Sequence, residues 1–170
     1  SGKGRGIQMN TGAEKATGDI FLFLHADTFL PENTYELITR AMEVPENIAG
    51  SFYLTWDKKH TILGMYSKWS KINLTLFTYG DHAIFIKKEA FFKVGGYRDM
   101  LFMEDIEIQE RLRKAGKFVK LNAPVLTSSR RFDKTGTVKQ FLLYIILLFS
   151  LKFGAPPSSL NKFTKAHFCE

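Results

Sequence analysis

The chain has almost no cysteine, little proline and no long apolar run, and each shortage closes off a class of protein. A single cysteine, Cys169, in 170 residues excludes an internal disulfide framework. A reducing, cytoplasmic compartment is the natural setting, with the thiol an inert tail group. With five prolines and neither an internal repeat nor a low-complexity linker, nothing in the sequence marks a flexible divide. No stretch reaches the roughly eighteen uninterrupted apolar residues of a membrane span. The nearest approach is FLLYIILLF, Phe141 to Phe149, preceded by Lys139 and Gln140 and followed by Ser150 and Lys152. As a helix it is apolar nearly all round, so it belongs in the fold, in an oligomer interface or in a membrane interface. There is no secretory signal either. The chain opens with SGKGRGIQMN and no initiator methionine, which reads as an internal start.

What is present is enough for a core. A hydrophobic content of 45% with 16 phenylalanines excludes disorder, and the length fits one domain. A net charge of +7 and a pI near 9.5 suit phosphorylated ligands, an anionic membrane or nucleic acid. The phenylalanines lie in apolar runs and not between lysines, which argues against a nucleic-acid surface.

Helices and short apolar strands alternate along the chain, the signature of a layered α/β domain. Periodicity predicts helices over 7–16, 32–44, 88–94 and 105–115, and strands over 20–25, 50–56, 83–88, 118–121 and 125–128. Residues 62–77 read as irregular or helical.

Three segments carry chemistry. In DIFLFLHADTFLP, Asp19 to Pro31, an apolar run without alternation fits a parallel strand covered on both faces. It stops at His25 and Asp27, where ligands bind in open α/β sheets. Glu32 and Asn33 are better placed than Asp27 to cap the next helix. In MEDIEIQERLRKAG, Glu104 and Asp105 stand at a helix start, either complementing the dipole or, in a drier setting, acting as a base. In TSSRRFDKTG, Arg130 and Arg131 sit among hydroxyls and small residues, as a surface pair or as forks for phosphate oxygens. Between these, YGDHAIF places Asp81 and His82 before a strand, with His82 a ligand contact or a structural group.

Taken in order, GRGIQMNTGAEKATGDIFLFLHADTFLP, YGDHAIFIKKEAFFKVGGYRDMLFMEDIEIQERLRKAG and TSSRRF with its following glycine resemble a bacterial branch of the family-2 glycosyltransferases. The resemblance implies a GT-A fold: a three-layer α/β/α sandwich with a mixed sheet, here lacking its first βα units. It implies inverting, metal-dependent transfer of a sugar from a nucleotide-sugar donor to an acceptor hydroxyl. HADT then stands in the place of the DXD motif, with Asp27 holding Mg²⁺ or Mn²⁺ and His25 where the first acid often lies. Asp105 matches the general base with Glu104 beside it, and Asp81 matches an acceptor-side acid. Arg130 or Arg131 takes the diphosphate role of QXXRW, from which SSRRF departs. The strand that reads the donor's base has no counterpart here, so the chain reads as part of a larger transferase: a catalytic portion over 1–136, and a hydrophobic helix and tail over 137–170. The implied partners are the donor, an acceptor of unspecified class, the inner face of a membrane and, through an open sheet edge, a second copy. A non-catalytic anion-binding or interaction module is the alternative reading.

Overall fold

The computed structural model describes residues 4–100 and 102–153, together with Phe163 and Ala166; Cys169 lies outside the described residues. In chain order come α1 (Arg5–Lys15), β1 (Ile20–Phe23), β2 (Thr28–Phe29), α2 (Thr34–Met42), β3 (Asn47–Trp56), α3 (Thr61–Trp69) and β4 (Ile84–Lys87). α4 (Lys88–Lys93), α5 (Glu104–Ala115), β5 (Lys117–Thr127), α6 (Arg130–Thr135) and α7 (Thr137–Lys152) follow. Short 3₁₀ turns occupy Thr75–Phe77 and Gly80–His82.

The strands form one mixed sheet in the order β1-β4-β3-β5-β2. β3 and β5 run parallel from Asn47 opposite Lys117 to Trp56 opposite Thr127, and the remaining pairings are antiparallel. β4 shows why this makes three layers. Its side chains alternate between two apolar clusters, Ile84 and Ile86 in one and Phe85 in the other, and all three are fully buried. One cluster joins the sheet to α1, α4 and α5 through Ala13, Phe91, Ile108 and Leu112. The other joins it to α2 and α3 through Ile38, Met42 and Tyr66. Asn10 ties α1 to the loop after α4 with two bonds, donating to the Tyr97 carbonyl at 2.8 Å and accepting from its amide at 2.9 Å.

Two expectations change. The run starting at Ile20 is not an inner parallel strand but an edge strand antiparallel to β4, with only Phe21 buried. Its lack of alternation has a simple cause: Phe21 and Phe23 pack on one cluster while Ile20 and Leu22 pack on the other. An unbroken apolar run reports coverage of both faces, not the direction of the neighbour. The two extended pieces after Gly116 are one strand, β5, whose register slips between Lys120 and Pro124, where proline has no N–H to give the ladder. SSRRF, without a predicted element, runs into α6.

The apolar helix divides its surface. Gln140, Leu143 and Leu147 of α7 are buried, while Val138, Leu142, Ile145, Ile146 and Phe149 are exposed. Phe141 meets the Tyr66 ring at 5.7 Å. Among the described residues no helix is long and apolar enough to cross a membrane.

Gly50 marks the tightest point of the sheet, since a Cβ there would lie 2.5 Å from Phe85 Cζ and 2.7 Å from the Val119 carbonyl oxygen. Gly50→Ala is expected to destabilise by about 1–3 kcal/mol, the range for overpacking. Gly64→Ala in α3, where a Cβ meets nothing within 4 Å, should stabilise by about 0.5–1 kcal/mol. Urea unfolding checks both, and equal shifts for the two variants would contradict this packing.

Candidate functional site at the strand ends

The registers decide where the site lies. Because β3 and β5 are parallel, Trp56 and Thr127 finish at the same edge of the sheet. β4 runs the other way, so it begins at that edge, and Phe23, opposite Ile84, brings the end of β1 there too. Thr28 opposite Thr127 adds the start of β2, with the two hydroxyls 3.1 Å apart. A cavity of about 800 Å³ opens along this edge. His25, Asp27, Asp81, Asp105, Arg130 and Arg131 all line it, although they come from four separate stretches of chain.

Asp105 is held from two sides. Its Oδ2 accepts the Gly80 amide at 2.5 Å and its Oδ1 accepts the Ile106 amide at 2.9 Å. Gly80 leaves room for this approach, because a Cβ would fall 2.7 Å from His25 Nε2 and 3.4 Å from Asp105 Oδ2, and the His25 ring would have to shift. The loop thus threads between imidazole and carboxylate. Gln109 strengthens the same junction, its amide donating to the carbonyls of Thr78 at 2.9 Å and Asp105 at 3.1 Å. Two non-glycine residues with left-handed backbones flank the acids, Ala83 at φ 52° and Met103 at φ 64°. Such strain, about 1–3 kcal/mol each, clusters at functional sites.

Electrostatics separate the acids. Asp81 is pushed up to about 7 by burial and then by the Asp105 charge. Its Oδ1 is buried with no hydrogen-bond partner among the described residues. His25 is held below the usual imidazole value by burial and by Arg5. Glu104 does not join the cavity lining. It turns toward α1, where its Oε1 pairs with Arg5 Nη2 at 2.8 Å, and burial followed by the Asp105 charge raises its pKa.

The two arginines point differently. Arg130 Nη2 lies 3.7 Å from Asp27 Oδ2, both groups well exposed, whereas Arg131 Nη1 donates to the Tyr144 hydroxyl at 3.1 Å. Tyr79, Tyr144, Trp56 and Trp69 add aromatic walls. These residues carried no signal in the sequence, being indistinguishable there from core aromatics.

Among the described residues no group of three or more histidines, cysteines or acids is arranged to hold a metal ion. Asp27 by itself fits a hard cation only as one oxygen ligand among several, the others coming from a phosphorylated ligand and water, as magnesium sites commonly do.

A sequence model of glycosyl transferase family 2 matches residues 1–101, more than half of the chain. The chain belongs to that family. No curated protein matches. Among solved structures, this family 2 chain is similar to a mannosyltransferase from Pyrobaculum calidifontis in complex with GDP-Man and Mn²⁺. The TM-score is 0.57 at 15% identity, with 74% of this chain and 36% of that chain covered. At that identity the likeness concerns the fold, which is GT-A-like; the chain spans about a third of that protein's length.

Proposed function

We propose that the strand-end cavity transfers a sugar from a nucleoside diphosphate sugar to an acceptor hydroxyl, with inversion at the anomeric carbon. The observation that carries this reading is the convergence of Asp27, Asp105, Arg130 and Arg131 on one cavity in a GT-A-like fold. Asp105 takes the proton of the acceptor hydroxyl as its oxygen bonds to the anomeric carbon. The bond from that carbon to the diphosphate oxygen breaks as it forms. A carboxylate pinned by two backbone amides is oriented for that task, and positioning reactants supplies much of such a rate. Asp81 shapes the acceptor side next to it. Arg130 and Arg131 face the side where negative charge grows on the leaving diphosphate, which preorganised cations stabilise. Asp27 is the residue that would hold a divalent cation, Mg²⁺ or Mn²⁺, which when bound neutralises diphosphate charge as a Lewis acid. The solved relative's GDP-Man and Mn²⁺ support this class of donor and metal.

The exposed stripe on α7 adds a location. Val138, Leu142, Ile145, Ile146 and Phe149 face solvent, as do Trp69 and Leu76, and Trp69, Leu76 and Ile145 also line the cavity. Exposed Lys68 and Lys71 flank Trp69, and α7 carries no acid. An apolar face with a basic border fits an anionic membrane surface, so the acceptor is drawn from, or delivered beside, that surface.

Calorimetry with a panel of nucleoside diphosphate sugars at about 1 mM, a concentration that captures weak complexes, plus Mn²⁺ or Mg²⁺, tests the donor site. Asp27→Ala should weaken binding about 10- to 100-fold, the loss expected for a charged contact. Asp105→Asn should keep binding and lower turnover about a hundred- to ten-thousandfold. If neither variant changes anything, the site is a non-catalytic anion-binding surface. For the membrane face, the wild type should sediment with anionic and not with zwitterionic vesicles. The double variant Ile145→Glu with Phe149→Glu should stay in solution. Unchanged sedimentation would refute the membrane assignment, and a dimer broken by the same variant would give the face to a second copy.

A further inference from the structure

Below the acceptor side of the cavity lies a buried polar chain that the transfer reaction does not use. His82 is completely buried, and its two ring nitrogens face three neighbours. Nδ1 lies 3.2 Å from the Phe52 carbonyl oxygen and 3.4 Å from Lys120 Nζ. Nε2 lies 3.7 Å from Asp81 Oδ1, and both of those atoms are buried without a hydrogen-bond partner among the described residues. Lys120 reaches this spot from β5, where its ammonium also donates to Thr78 Oγ1 at 2.7 Å and to the Phe52 carbonyl at 3.3 Å. The Thr78 hydroxyl has its own acceptor, the Leu74 carbonyl at 3.0 Å, so its oxygen is free to accept from Lys120.

The two neutral tautomers of His82 satisfy this cluster unequally. With the proton on Nδ1, the ring donates to the Phe52 carbonyl, but Lys120 loses His82 as an acceptor and the bare Nε2 faces the Asp81 carboxylate, acceptor against acceptor. With the proton on Nε2, the three Lys120 donors meet three acceptors: Thr78 Oγ1, the Phe52 carbonyl and His82 Nδ1. The Nε2–H then aims at Asp81 Oδ1, and the two orphaned atoms become partners after a shift of a few tenths of an ångström. Buried polar groups left unpaired cost about 1–3 kcal/mol each, so with Lys120 and Asp81 ionised the arrangement that pairs the two orphaned atoms, His82 Nε2 and Asp81 Oδ1, wins. A ring nitrogen's partner deciding where the proton sits is a general property of imidazole.

We propose that Lys120 is a positioning residue that fixes His82 in its Nε2–H form and, through it, orients the Asp81 carboxylate that faces the cavity. The charges around the cluster agree with this. Burial and then the Lys120 charge keep His82 neutral, well below the usual imidazole value. Burial, followed by Arg113, lowers Lys120 to about 7, with Asp81 acting in the opposite sense. Lys120 in turn draws Asp81 down against its burial and the Asp105 charge. An aspartate directed by its histidine is thus secured by a cation more than thirty residues away in sequence. The importance of the arrangement rests on Asp81 serving the acceptor side, but its existence does not.

Long-range proton–nitrogen correlation of the His82 ring, recorded on the full chain near neutral pH, reads the tautomer without substrate. The wild type should show Nε2 protonated and Nδ1 bare. Lys120→Met should reverse the order, the ring then donating from Nδ1 to the Phe52 carbonyl, and Lys120→Arg should restore it. A wild-type spectrum with the proton on Nδ1 overturns the proposal, as does an unchanged order in folded Lys120→Met. If Lys120→Met does not fold, the wild-type spectrum still decides. Because no nucleotide sugar enters this measurement, a failed transferase reading and a failed positioning role give separate results.

Discussion

Because β3 and β5 run parallel, their last residues, Trp56 and Thr127, face each other at one edge of the sheet, and the functional geometry is built outward from that pair. The antiparallel partners on either side bring Phe23, Ile84 and Thr28 to the same edge. An antiparallel pairing of the two longest strands would send the HADT turn and the double arginine to opposite ends of the molecule. The helices on both faces then have one task beyond covering the sheet. α5 must present its first turn, with Asp105, to the same edge, and the Gly80 amide bound to Asp105 Oδ2 fixes it there.

Charge is distributed along this edge in a sequence that chemistry explains. Asp105 stands close enough to Asp81 for its charge to raise the pKa of Asp81, which places two carboxylates side by side. Such pairs are the usual mark of an acid–base site. Arg130 and Arg131 arrive from the end of β5 and Asp27 from the end of β1. In the proposed reaction the carboxylates form the flank that meets the acceptor hydroxyl and the arginines the flank that meets phosphate. Glu104 belongs to neither: it does not line the cavity but pairs with Arg5, which does.

The parts of the site that announce themselves in sequence are those where a polar residue breaks an apolar run. HADT interrupts DIFLFL, the acids of MED open an amphipathic helix, and RR follows an extended segment, so Asp27, Asp105, Arg130 and Arg131 were all visible. The layered α/β class was legible for the same reason. Strand direction was not, since Ile20, Phe21, Leu22 and Phe23 look alike whether their neighbour runs parallel or antiparallel. Lys120 was invisible because it reads as one charge in an ordinary extended segment. Its meaning comes from Thr78, His82 and Phe52, which only the β3–β5 pairing brings beside it. Gly80 could be seen as a break before a strand, but not as the residue that lets a loop pass between His25 and Asp105. Separating Glu104 from Asp105 was equally beyond the sequence, as adjacent positions on a helix start point about 100° apart and only the fold says which way is in.

The central claim is that the edge where β1, β3 and β5 end receives the diphosphate of the donor together with its cation. Paramagnetic broadening of backbone amide resonances on adding Mn²⁺ with a nucleoside diphosphate sugar tests it most directly, because the effect falls off steeply with distance from the ion. The account predicts broadening centred on His25 to Thr28 and Ser128 to Arg131, with α4 at the opposite edge of the sheet unaffected. Broadening centred elsewhere, or none at those residues with the sugar nucleotide present, would contradict it.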